Sequence, residues 1–145
     1  MYLYAITQNI QLYSCIADQL CVTLLHLMSS KEQVENFLQD FKQKMNVFDI
    51  LFRDDRGKNT QTLADLEIRP VDRKSILENL HAGEYCEGPV KEKLYGGADL
   101  WVFGKEINKN EVYIKISIGF PGSSVICVSF HIAEHPLTYP LKEKE

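Results

Sequence analysis

Between residues 111 and 131 the chain alternates apolar and polar side chains twice, around one short turn. Val112, Ile114, Ile116 and Ile118 alternate with Tyr113, Lys115 and Ser117; beyond Gly119-Phe120-Pro121-Gly122, Ile126, Val128 and Phe130 alternate with Cys127, Ser129 and His131. A period of two gives each face of a sheet its own set of side chains. No other feature restricts the fold as much, because a helix would scatter these isoleucines around its circumference. A third run, residues 99–105 with Trp101 and Phe103, precedes the turn Asn108-Lys109-Asn110. A three-stranded antiparallel meander is therefore expected.

The register of its last hairpin follows from the same pattern. A one-residue slip would move every apolar side chain to the wrong face. Keeping the two apolar sets together requires paired residue numbers with an even sum, and a sum of 244 pairs Ile114 with Phe130 and Ile118 with Ile126. Tyr113 then stands opposite His131 and Lys115 opposite Ser129, with Cβ atoms about 4.5–5.5 Å apart. The first hairpin has no comparably clear register, so Trp101 and Lys105 can fall on either face.

Upstream, Val34, Phe37, Leu38, Phe41 and Met45 recur at helical spacing behind Ser29 and Ser30, whose hydroxyls suit an N-cap. An amphipathic helix is expected over residues 31–45. Residues 47–52 read as a strand, and residues 53–59 as a turn in which Arg53, Asp54, Asp55 and Arg56 neutralise one another. Residues 60–63 suit a second strand or a short turn. Pro70 fits the first position of a second helix running to about His81 through Val71, Ile76, Leu77 and Leu80. Residues 83–97, rich in glycine and holding Pro89, read as a loop. The order of elements gives an α+β fold, with two helices on one face of an antiparallel sheet that ends in the meander.

The 145 residues are the usual size of one domain. A net charge of −4 excludes a domain-wide basic field but not a local one. Cys15, Cys21, Cys86 and Cys127 form no metal-ligand spacing and fit a reducing, cytoplasmic setting; Cys127 reads as a buried apolar residue. Residues 1–30 hold a single charge, Asp18, against thirty-five in the rest. Residues 1–28 are read as an atypical extension. Their longest apolar run is about half of what a bilayer span needs, and no cationic segment announces a secretory signal. Met28, followed by a helix start, would serve as a natural first residue. Residues 29–134 form the expected domain, and residues 135–145, with two prolines, an irregular and frayed tail.

The face away from the helices gathers a phenol, an ammonium, an imidazole and a hydroxyl. Antiparallel sheets often simply wet one face. Lys91, Lys93, Lys105 and Lys115 interleaved with Tyr95, Trp101 and Tyr113 also suit phosphate contacts and base stacking. They imply a local positive patch, with the acids gathered on the helix side. RNA cleavage without metal or cofactor needs a base for the 2′-hydroxyl, positive charge at phosphorus and a proton for the leaving 5′-oxygen. Lysine, tyrosine and histidine supply all three.

Val112-Tyr-Ile-Lys-Ile116 and Val125-Ile-Cys-Val-Ser-Phe130 resemble the last two strands of the motility quorum-sensing regulator (MqsR) toxins, within the RelE-like ribonuclease toxins. Lys91, Tyr95 and Trp101 resemble that family's lysine, tyrosine and tryptophan run, and residues 65–80 its helix. The resemblance spans roughly residues 31–131. It implies an mRNA-cleaving toxin of a type II toxin–antitoxin system, held silent by an antitoxin from a neighbouring gene. The family's functional lysine falls on Lys91 or Lys93 and its tyrosine on Tyr113. His131 stands where the family has lysine, and Val102 where it has glutamine. The expected site is therefore Lys91 or Lys93 as phosphate clamp, Tyr113 as positioning group or base, and His131 as acid, with Tyr95, Trp101, Lys105 and Lys115 on the RNA. The alternative is a module without catalysis, or an inactive relative, that docks a protein partner through the sheet face or an edge strand.

Overall fold

The computed structural model describes residues 29–55, 57–92 and 97–143. The expected extension over 1–28, and Lys93 and Tyr95, lie outside them. The elements run α1 (Lys31–Phe48), β1 (Ile50–Phe52), α2 (Gly57–Asp65), α3 (Asp72–Glu78), β2 (Tyr85–Val90), β3 (Leu100–Ile107), β4 (Asn110–Ser117) and β5 (Val125–Ile132). The class is α+β, as expected. The sheet has five strands in the order β1-β5-β4-β3-β2. It is mixed rather than antiparallel, because β1 runs parallel to β5.

α1 forms where the pattern put it. Ser30 Oγ accepts the Gln33 N–H and the Gln33 side chain accepts the Ser30 N–H, closing a capping box. The stripe from Val34 to Met45 is buried against Phe103, Val112, Ile114, Ile116, Cys127 and Phe130. Five buried aromatic and aliphatic side chains on one helix face supply most of what holds that helix, since propensity alone is marginal at this length.

Three expectations fail for local reasons. Two helices become three, because residues 57–65 form a helix where a turn and then a second strand or short turn are expected. Asn59 and Thr62 face inward there and serve β5: Asn59 donates to Val128 O and accepts from the Phe130 N–H, and Thr62 Oγ1 accepts from the Ile132 N–H. Tertiary demand overrides the weak helix propensity of glycine and threonine. Residues 85–90 form an edge strand despite Gly88 and Pro89, where a missing N–H costs no ladder bond. The loop charges also pair differently. Arg53 does meet Asp55, at 3.1 Å, but Asp54 binds the buried Arg73, whose fork reaches its two oxygens at 2.7 and 2.9 Å and stacks 3.8 Å above the Phe52 ring. Arg56 lies outside the described residues.

The register of the last hairpin holds for half its length. Tyr113 pairs with His131, Ile114 with Phe130 and Lys115 with Ser129. A bulge at Val128 then shifts the ladder by one, pairing Ile116 with Cys127 and Ser117 with Ile126. Cys127 therefore enters the core, fully buried, and the expected Ile118–Ile126 pair does not form. Asn59 satisfies the backbone groups that the bulge frees.

Residues 133–143 take no helix or strand, yet they are tied down rather than frayed. The backbone N–H of Leu137 and Tyr139 Oη donate to the two carboxylate oxygens of Glu111, at 3.0 and 2.7 Å. Leu141 packs on the core, and Glu143 meets Lys31 at the start of α1. Among the described residues no helix is long and apolar enough to cross a membrane.

Candidate functional site

β4 and β5 carry the two central side chains. Tyr113 and His131 face each other across the ladder, their rings stacked with centroids 5.2 Å apart and planes at 21°. Lys115, two residues along β4 and so on the same face, holds its ammonium 5.5 Å from the centre of the Tyr113 ring. His131 Nδ1 lies 2.9 Å from Ile132 O. A carbonyl can only accept, so Nδ1 carries the hydrogen and Nε2 is left to act. In the neutral ring Nε2 is an acceptor, and in the cation it is a second donor.

The cations separate. Of the described lysines expected here, only Lys115 has no ion pair. Lys91, just past β2, sits 3.1 Å from Asp99. Lys105 pairs with Val112 in the β3–β4 ladder, on the helix side of the sheet, and meets Glu84 at 2.6 Å with both side chains largely buried. Among the described residues the continuous positive patch is therefore not formed: Asp99 and Glu84 neutralise two of its members, and Lys105 belongs to the other face. Long lysine side chains at a sheet edge find the nearest carboxylate, whichever strand carries it.

Trp101 is likewise displaced from the expected set. Its ladder partner is Ile116, a core residue, and its ring stacks on Phe37 at 4.5 Å. It belongs to the helix-side core and is unavailable for stacking beside Tyr113. Val102, opposite Lys115, is 2% exposed and contributes only apolar surface.

The structure adds residues that the sequence pattern does not single out. Gly104 is the ladder partner of Tyr113. A β-carbon there would come within 2.6 Å of Leu137 and 2.8 Å of the Tyr139 ring, so the tail lies directly on this glycine. The signal is present in the sequence: a glycine inside an apolar strand marks a close approach. Burial, then the hydrogen bond to Glu111, raises the Tyr139 hydroxyl above its ordinary range, so it stays a donor. Burial likewise pushes the Cys86 and Cys127 thiols up to about 12, which leaves them protonated and unreactive at neutral pH. Lys58 holds the Glu134 carboxyl below the usual carboxylate range.

No protein-family model, curated protein or solved structure matches this chain.

Proposed function

We propose that the protein is a metal-independent RNA endonuclease, the RelE-like, MqsR-type toxin of a type II toxin–antitoxin system, acting in the cytoplasm. The stacked Tyr113–His131 pair carries this reading. It holds a hydroxyl and a ring nitrogen side by side, with an unpaired ammonium on the same strand. Lys115 takes the scissile phosphate. Tyr113 acts on the attacking 2′-hydroxyl, as positioning group or base. His131, protonated at Nε2, gives its proton to the leaving 5′-oxygen as the 2′,3′-cyclic phosphate forms. Lys91 contributes only when substrate draws it from Asp99. The resemblance of the β4 and β5 segments supplies the family, and with it an antitoxin that restores growth when co-expressed.

Induced expression with mapping of transcript 5′ ends tests the reading. The wild type should arrest growth and leave new 5′ ends. His131→Ala should lose roughly 10²–10⁴-fold in cleavage, and His131→Lys, which restores the family's residue, should keep substantial activity. Arrest by His131→Ala at the wild-type rate would sink the site and favour a module that only docks a partner.

A further inference from the structure

β1 pairs with β5 only from Val125 to Cys127, and just past it the Arg53 N–H still reaches Cys127 O. Beyond that point the outer edge of β5 would lie open where it carries His131. α2 takes the place of the missing strand. The side-chain amide of Asn59 donates to Arg53 O at 2.8 Å and to Val128 O at 3.4 Å, and accepts from the Phe130 N–H at 3.0 Å. One turn on, Thr62 Oγ1 accepts from the Ile132 N–H at 3.2 Å. Both side chains are buried, and they meet alternate residues of β5 as a neighbouring strand would. Lys58, on the same helix face, pairs with Glu134 just beyond β5.

The N–H groups of the two residues that flank His131 are thus both held from α2, while His131 itself pairs with Tyr113 of β4 on the other side. Its Nδ1 lies 2.9 Å from Ile132 O. That carbonyl shares a peptide unit with the Ala133 N–H, which donates to Glu111 O at 2.8 Å. Peptide planarity then fixes the direction in which Ile132 O points. We infer that Asn59 and Thr62 are positioning residues for His131: they hold the backbone on either side of it, keep Ile132 O where Nδ1–H donates to it, and so leave Nε2 free for substrate. The inference rests on the ribonuclease reading, but the state of the His131 ring tests it without cleavage.

The test uses the full chain, with NMR of the histidine ring nitrogens at a pH where the His131 ring is neutral, beside steady-state cleavage of a single-stranded RNA. The wild type should carry the hydrogen on Nδ1, and its Phe130 and Ile132 amides should exchange slowly with solvent. Thr62→Val removes the hydroxyl at nearly constant shape. A second population with the hydrogen on Nε2 should appear, and kcat should fall on the order of ten- to a hundred-fold while KM stays within a few-fold. Thr62→Ser returns the hydroxyl and should restore both. A merely structural bond would lower stability without moving the ring nitrogens, so wild-type nitrogen shifts in folded Thr62→Val would overturn the positioning role. The wild type decides even if Thr62→Val fails to fold: hydrogen on Nε2 of the neutral ring, or fast exchange at Ile132, overturns the role, and hydrogen on Nδ1 with slow exchange upholds it. Ring nitrogens that move as expected in a protein whose wild type cleaves no RNA would overturn the ribonuclease reading and leave the positioning of His131 standing.

Discussion

The two faces of the sheet are built from alternate residues of the same strands and are held in opposite ways. On the helix side, Phe103, Ile114, Ile116 and Phe130 are fully buried and their identities matter through volume. On the other side, Tyr113, His131 and Lys115 stay half-exposed, with Tyr113 stacked on His131 and Lys115 near the Tyr113 ring. In their row the tail lies against Gly104. One face is thus held by packing, which tolerates little change in shape. The other is held by the ladder beneath it, which leaves its side chains free for chemistry. The difference predicts that stability and activity separate by sheet face along β3, β4 and β5, with the faces exchanging parity at the β5 bulge.

The sharpest way to break this comparison is on the packed side. Phe103→Ala removes a ring that meets Phe37 and Tyr85 and should cost about 3–5 kcal/mol of unfolding free energy, measured by denaturant titration. A loss below about 1 kcal/mol would mean that the core does not sit where the fold puts it. An intermediate effect is expected at the boundary. Gly104→Ala forces a methyl group against Leu137 and the Tyr139 ring, so it should cost about 1–3 kcal/mol or lift the tail. Faster proteolysis of residues 133–143 in the folded variant would report the lifting. The smallest effect belongs to the open side. Tyr113→Phe keeps the ring in its stack and should change stability by less than about 0.5 kcal/mol, while cleavage falls. A large loss of stability there would show that the hydroxyl is structural.

What can be read from the sequence follows the same division. The stripe of α1 and the pairing of residues 113–115 with 129–131 are legible because apolar spacing is repeated and redundant there. The bulge at Val128 is not, since alternation in the sequence continues through it and only Asn59, about seventy residues away, makes it favourable. Trp101 is ambiguous because its hairpin lacks a register, and a tryptophan suits a core as well as a binding face. β2 is hidden by Gly88 and Pro89. The pairing of Lys105 with Glu84 is invisible because charge partners are chosen in space. Tyr139 escapes notice because a proline-rich tail looks unstructured until a carboxylate such as Glu111 anchors it.

The parallel pairing of β1 with β5 bears on the order in which the chain assembles. β3, β4 and β5 meet through turns of a few residues, whereas Ile50 must wait for Val125, seventy-five positions on. Closing that loop is entropically costly until the meander offers β1 an edge. The meander is therefore expected to nucleate, with β1 docking afterwards. Kinetically, substitutions at Ile114 should slow folding, whereas those at Ile50 should mainly speed unfolding.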